Sequence, residues 1–157
     1  MKLADYTTEA SFLPRVECRD RAELLRRLVA ALNQALGLPE PEALVREILR
    51  REDEGTTAVG QGLSLPHARF SGLTGVHLAV ATLATPISPD ADGEDDTPID
   101  VVILIVGPRE DPRQLLRVLV RITRLVRAGE LLPALRAGVT AEDLAQALSD
   151  TDSRLPA

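Results

Sequence analysis

The sequence predicts an α/β fold in which a β-sheet is flanked by helices. Apolar residues recur at helical spacing near both ends of the chain, whereas two β-branched runs, 76–83 and 99–106, lie in its middle. The first run has little polar alternation, which is typical of a strand that is buried on both faces. The second is richer in β-branched residues, is bounded by Pro98 and Gly107, and should lie centrally in the sheet. The chain has 157 residues, 45% of them hydrophobic, which is enough for one domain with its own core.

The first helix is predicted over 21–36. Asp20 and Glu23 have the spacing of an N-cap and its N3 partner, and leucines follow at helical spacing until Gly37, a residue that suits a helix end. A short strand over 12–16 should precede this helix.

The second helix is predicted from 39–42 to about Glu52. Proline and acidic residues suit its first turn, and its last turn is rich in arginine: Arg46, Arg50 and Arg51. Cations at a helix C-terminus complement the helix dipole, so a structural role is open for Arg46 and Arg50.

The middle of the chain predicts strands and turns. Two short strands, 56–59 and 63–65, lead to His67, and a loop rich in acidic residues is predicted over 85–98. The loop does not fit a calcium site, because Gly93 is not at the sixth position from Asp90.

The C-terminal third predicts three helices, over 111–127, over 131–137 and from the N-cap Thr140 onward. The longest one has an apolar stripe, and five arginines are predicted to lie mostly on its other faces. They form either a solvated face or a docking surface for an acidic partner: Arg113, Arg117, Arg121, Arg124 and Arg127.

Composition excludes several classes of function. The net charge of −6 and an aromatic content of 2% argue against nucleic-acid binding, which needs cations and stacking platforms.

A lone cysteine, Cys18, cannot form an internal disulfide, and no signal segment or long apolar run is present. We therefore expect a cytoplasmic protein without direct membrane insertion, bound metal or cofactor.

His67 is the candidate reactive residue. It follows Pro66, which fixes its own φ and favours an extended conformation at Leu65, so the imidazole should be presented at a strand end. An imidazole with an ordinary pKa is largely an uncharged nucleophile at neutral pH, as a phosphoryl carrier requires. The other histidine, His77, lies within a predicted strand and suits a core or sheet-face position. Arg69 could screen charge at His67.

Two other chemistries fit the residues less well. A zinc site built from His67, His77 and Cys18 lacks the usual ligand spacing on one element. A hydrolase pair of Ser64 and His67 lacks the glycine that should follow two residues after a nucleophilic serine.

The segment around His67 resembles the signature of the fructose/mannitol-type enzyme IIA domain of the bacterial sugar phosphotransferase system, including its nitrogen-regulatory members. The similar residues are Arg51-Glu52 and Thr56-Thr57-Ala58-Val59-Gly60-Gln61-Gly62-Leu63-Ser64-Leu65-Pro66-His67-Ala68-Arg69. The resemblance implies a single-domain sandwich, a mixed β-sheet with helices on both faces. It places the enzyme IIA-like domain over 1–150, and the sequence predicts a disordered tail over 151–157.

The resemblance also implies a mechanism. His67 would accept a phosphoryl group from phospho-HPr and pass it to an enzyme IIB domain, or use it as a regulatory signal to a target protein. Positioning and charge stabilisation would dominate such a loose transition state. Arg51 would join His67 as a catalytic residue, and the predicted phosphate-binding residues are Gly60, Gly62, Ser64 and Gln114.

One position departs from the resemblance. Many members have a second histidine, in a His-Leu pair inside the long helix, where this chain has Gln114-Leu115. Glutamine can donate a hydrogen bond to phosphate but carries no positive charge. This difference keeps a second hypothesis open: a regulatory protein-binding module with weak or no phosphotransfer.

Overall fold

The computed structural model describes residues 1–54, 58–88 and 97–156. Two short 3-10 turns, Leu3–Tyr6 and Glu9–Ser11, precede the main elements. The strands and helices in chain order are β1 (Phe12–Val16), α1 (Arg21–Leu36), α2 (Pro41–Asp53), β2 (Ala58–Gly60), β3 (Leu63–Ser64), β4 (His67–Phe70), β5 (His77–Ile87), β6 (Ile99–Pro108), α3 (Pro112–Ala128), α4 (Leu131–Ala137) and α5 (Ala141–Arg154).

The sheet is mixed and is built around β6. Its strand order is β1-β5-β6-β3-β2, and β4 also pairs with β6. Strands β5 and β6 are antiparallel, whereas β3 and β4 both run parallel to β6 along one of its edges. The chain between β3 and β4 stays on that edge, because the Ile105 N–H donates to the Pro66 carbonyl over 3.0 Å. His67 lies opposite Ile105 in this register.

Helices cover both faces of the sheet. Alternate residues of β6 enter two separate apolar clusters, as the side-chain period of a strand requires. Val101, Ile103 and Ile105 pack in a cluster with residues of α3, α4 and α5, whereas Val102 and Leu104 pack in another with residues of α1 and α2. The predicted α/β sandwich with helices on both faces is thereby confirmed.

Capping signals located the helix ends well. The Asp20 side chain accepts from the Glu23 N–H over 2.9 Å, and Gly37 ends α1 with a φ of 59°, so the predicted bounds 21–36 are those observed. Thr140 and Asp143 form the reciprocal bonds of a capping box at the start of α5. The predicted bounds of α4 are also those observed.

Three predictions about the strands need correction. His67 lies at a strand end, but it is the start of β4, a strand that the sequence did not predict because it forms by pairing with β6. His77 is the first residue of β5 rather than an interior one, and β5 continues to Ile87, into the predicted loop. The acidic part of that loop, and residues 56–57 of a predicted strand, lie outside the described residues.

The prediction of a disordered tail from Thr151 is wrong for its first four residues. Helix α5 continues to Arg154, and both Thr151 and Asp152 are buried. Asp152 forms an ion pair with Arg121 of α3 at 2.7 Å, a long-range contact that no local pattern announces. Arg121 is thus buried. The sequence had predicted that the arginines of this helix lie mostly on the faces away from its apolar stripe.

Candidate functional site

A polar cavity of about 310 Å³ lies beside His67. Its walls come from the last turns of α2, from β4, from the residue that follows β6, and from the first turn of α3. The lining residues are Glu47, Arg50, Arg51, Glu54, His67, Ala68, Arg69, Arg109 and Leu115. Helix α2 packs against β4, so the fold brings the predicted pair His67 and Arg51 into one cavity.

The orientation of the His67 ring follows from one local hydrogen bond. The ring atom Nδ1 lies 2.9 Å from the Leu65 carbonyl oxygen, with Pro66 between the two residues. Because a carbonyl can only accept, Nδ1 carries the proton that it donates. The lone pair of the neutral ring is then on Nε2, which is therefore the nucleophilic atom.

Two arginines of the cavity have donors that no described residue uses. Neither Arg51 nor Arg69 makes a side-chain hydrogen bond or ion pair with any residue that the structure describes. Arg51 is half-buried in the last turn of α2, whereas Arg69 is exposed on β4, two residues after His67. A guanidinium has five N–H donors in a planar fork that matches phosphate oxygens.

The other two arginines of the cavity share a carboxylate, Glu47. Arg50 donates to it from Nη2 over 2.8 Å and from Nε over 3.2 Å, whereas the Arg109 Nη2 lies 3.8 Å from the same side chain. The hydrogen bonds from Arg50, with the nearby charge of Arg109, hold the pKa of Glu47 below its usual value. Arg50 also pairs with Glu54.

The charge of the cavity is opposite to that of the protein. Four arginines and two glutamates line it, in a chain whose formal net charge is −6. Charge of one sign concentrated in a concave site attracts ions of the other sign. The arrangement is therefore suited to an anion close to an imidazole nucleophile.

The predicted glycine ligands lie elsewhere. Gly60 and Gly62 flank the turn between β2 and β3 and have φ values of 88° and 81°. A Cβ on Gly62 would lie 2.7 Å from both Arg136 and Asp100, so glycine is needed here for a close approach. Gly62 meets the start of β6 near Val101, whereas His67 lies beside Ile105, and neither glycine lines the cavity.

Ser64 and Gln114 are also outside the lining of the cavity. Ser64 is only 2% exposed, in β3. Gln114 is half-buried in the first turn of α3, and its amide donates to the Tyr6 hydroxyl over 3.4 Å. The helix instead presents the next residue, Leu115, to the cavity.

Sequence reasoning did not identify Glu47, Glu54 and Arg109 as cavity residues. Glu47, Arg50, Arg51 and Glu54 have the i, i+3, i+4, i+7 spacing of one helix face, a signal that could have grouped them. Arg109 has no such local signal, because its place depends on the pairing of β6 with β4.

The described ranges, 1–54, 58–88 and 97–156, contain neither a cluster of metal ligands nor a membrane-spanning helix. No three His, Cys, Asp or Glu side chains there converge as metal ligands. No helix there has the length and apolar character that are needed to cross a membrane.

Comparison with known proteins gives matches along most of the chain. Residues 6–151 match the family described as "Phosphoenolpyruvate-dependent sugar phosphotransferase system, EIIA 2". A nitrogen regulatory protein of Bradyrhizobium diazoefficiens is 31% identical over 149 residues, which are 95% of this chain and 95% of that protein.

Solved structures share the fold. Nitrogen regulatory protein IIA-Ntr of Neisseria meningitidis gives a TM-score of 0.82 at 19% identity, covering 93% of this chain and 98% of that one. Enzyme IIA for mannitol of Escherichia coli, solved in complex with phosphorylated enzyme IIB, gives a TM-score of 0.69 at 18% identity. That match covers 90% of this chain and 95% of the other.

Proposed function

The chain belongs to the EIIA type 2 family of the phosphoenolpyruvate-dependent sugar phosphotransferase system, and on that premise we propose that it is a phosphohistidine carrier. His67 accepts a phosphoryl group from an HPr-like phosphocarrier. It then passes the group to an enzyme IIB domain or holds it as a regulatory signal. We also propose a cytoplasmic location, which the family and the lone cysteine Cys18 favour.

The proposed step is an in-line displacement at phosphorus. The Nε2 lone pair of His67 forms the new P–N bond while the P–N bond to the donor histidine breaks, and that bonding pair returns to the donor imidazole. In the second step a histidine nitrogen or cysteine thiolate of the acceptor attacks the same phosphorus, and Nε2 leaves with its lone pair. The Leu65 carbonyl keeps the Nδ1 proton in place throughout.

Arg51 is the proposed ligand of the phosphoryl oxygens, with Arg69 beside it. In a loose transition state, charge is spread over the equatorial oxygens, and fixed cations stabilise it. Gly60, Gly62, Ser64 and Gln114 receive no role in this step, because they are not part of the cavity wall.

The observation that carries the proposal is the geometry of His67: its Nδ1 donates to Leu65, which leaves the Nε2 lone pair free, and the residue lines a cavity that it shares with four arginines. The test is incubation of the purified chain with phosphoenolpyruvate, enzyme I and HPr. We expect one acid-labile phosphate per chain, absent from His67→Ala and retained in His77→Ala, which removes the other histidine. Equal labelling of parent and His67→Ala would refute the proposal.

A second candidate is a regulatory binding module whose partner responds to the state of His67. It is favoured by the 31% identity to a nitrogen regulatory protein and by Gln114 in place of a second histidine. Pull-downs with the parent chain, His67→Ala and His67→Asp test it. Partners captured equally by all three would exclude control by phosphorylation.

A further inference from the structure

We propose that Arg109 is an additional anion-binding residue of the cavity and that Glu47 is its resting partner, which an incoming phosphoryl group displaces. The inference rests on the proposed function, since it names a further residue for the same site. It concerns two side chains that no sequence pattern around His67 singles out.

The main chain of Arg109 is fixed to the strand that carries His67. Arg109 directly follows β6, and its N–H donates to the Phe70 carbonyl at the end of β4 over 3.3 Å. The base of the Arg109 side chain is therefore held at a constant place relative to His67. The conformation of the long side chain then determines which groups the guanidinium contacts.

The side chain of Arg109 is held loosely. It is 53% exposed, and its single ion pair with a described residue, Glu47, spans 3.8 Å, which is beyond hydrogen-bond distance. Exposed pairs of this kind contribute about 0–1 kcal/mol. Arg109 can therefore leave Glu47 at little cost when a stronger anion is present.

Glu47 has a better partner than Arg109. Arg50, three residues later on the same helix, donates two hydrogen bonds to it, at 2.8 and 3.2 Å. Loss of Arg109 would leave Glu47 paired. A phosphoryl group carries more negative charge than one shared carboxylate, so exchange of Glu47 for phosphate on Arg109 is favourable.

Glu47 also acts directly on the anion. Its carboxylate lines the same cavity as His67, so it repels a bound phosphate and competes with it for Arg109. Arg109 should raise the affinity of the cavity for anions, and Glu47 should lower it. A carrier benefits from this balance, because a phosphoryl group that is bound too tightly cannot be passed on.

The test measures binding of inorganic phosphate to the unphosphorylated chain by NMR titration, with the thermal unfolding of each variant as a check of folding. We expect Arg109→Gln to weaken phosphate binding about threefold and Glu47→Gln to strengthen it about threefold. Arg109→Lys should stay close to the parent because it keeps the charge. Arg113→Gln is the control, since this arginine is exposed and pairs with Asp111 outside the cavity.

The double variant separates competition from simple repulsion. If Glu47 competes for Arg109, the gain from Glu47→Gln shrinks in the Arg109→Gln background. Weaker binding in Glu47→Gln, no difference between Arg109→Gln and the control, or no phosphate binding by the parent would each overturn the inference.

Failure of the inference and failure of the proposed function are distinguishable. The phosphate titration needs no phosphotransfer partner, so its result stands even when His67 is not phosphorylated. Labelling of His67 combined with an ineffective Arg109→Gln would leave the carrier function intact and remove Arg109 from the site.

Discussion

Arginines are used in opposite ways in two regions of the molecule. Between α3 and α5, the Arg121 side chain is 9% exposed and donates from Nε to Asp152 over 2.7 Å. Its other nitrogens donate to the carbonyls of Asp152, Leu155 and Pro156 at 2.7 to 3.0 Å. In the cavity beside His67, the Arg51 guanidinium has no partner within the part of the chain that the structure describes.

The difference shows what each region can do. Asp152 also accepts from the Leu3 N–H over 2.8 Å, so Arg121 and Asp152 join the N-terminal turn, α3 and α5. All three nitrogens of the Arg121 guanidinium donate, and four of its five N–H donors are used, so this arginine stabilises the fold and has little left for a ligand. The described residues leave the side-chain donors of Arg51 and Arg69 available to an anion, and we expect these two arginines to contribute little to stability.

The largest expected effect is on stability, from Arg121→Met. Removal of one partner of a buried ion pair leaves the other charge buried and unpaired, so the free energy of unfolding should fall by about 3 kcal/mol. Urea unfolding measures this change. Labelling of His67 per folded molecule should not change.

Arg124→Met is the matched control for Arg121→Met, because Arg124 is an exposed arginine of the same helix. It should change the free energy of unfolding by no more than about 0.5 kcal/mol. Equal losses in the two variants would show that the buried pair has no special role.

The next effect is on rate, from Arg51→Gln. Hydrogen bonds to charged groups are worth about 1.5–3 kcal/mol, so the initial rate of His67 phosphorylation should fall about tenfold to hundredfold. Stability should remain near that of the parent. Rapid-quench labelling measures the rate, and Arg46→Gln, on an exposed residue of the same helix, is the control. If Arg51→Gln were phosphorylated at the parent rate but unfolded more easily, Arg51 would serve stability rather than anion binding, which would contradict the contrast with Arg121.

A smaller effect is expected for Gln114→Ala. Gln114 contacts Tyr6 and is outside the cavity lining, so the phosphorylation rate should stay within about twofold of the parent. The same labelling assay applies. A loss comparable to that of Arg51→Gln would restore Gln114 to the site as a phosphate ligand.

The smallest effect concerns Asp143, an exposed carboxylate whose Oδ2 accepts two backbone hydrogen bonds. The N–H groups of Val139 and Thr140 donate to it and hold its pKa below the usual value. Its contribution to stability should be present above the unfolded pKa of about 3.9 and be lost as the pH falls through the lower folded pKa. Asp143→Ala should therefore destabilise the chain at neutral pH more than at acid pH, as measured by urea unfolding. A difference from the parent that does not change with pH would contradict this prediction.

Local signals predicted the helices closely. The N-caps Asp20 and Thr140 and the C-cap Gly37 act within one turn of the chain, so a short window contains the interactions that stop or start a helix. The strand β4 was not predicted because four residues with His67 at their start have no pattern of their own. They become a strand by pairing with β6, where each partner residue lies 38 positions later in the chain.

The candidate site likewise combines residues that the sequence indicated with residues that only the tertiary structure brings together. The Pro-His pair pointed to His67, and the resemblance to the enzyme IIA signature pointed to Arg51. The predicted glycine ligands were close to His67 in sequence, but an extended strand carries its ends apart, and Gly62 packs on Asp100 and Arg136 instead. Glu47 and Arg109 reach the cavity from different elements.

The sequence by itself determined the fold class, the helix ends and the candidate nucleophile, because these depend on periodicity, caps and the restriction that a proline places on its neighbours. The tertiary structure decided which arginines pair within the described part of the chain and which do not. Arg121 and Arg51 have the same side chain and both lie on helices, but of the two only Arg121 has partners among the described residues, Asp152 and the carbonyls of Leu155 and Pro156. Those partners come from distant parts of the chain, so no local pattern contains them.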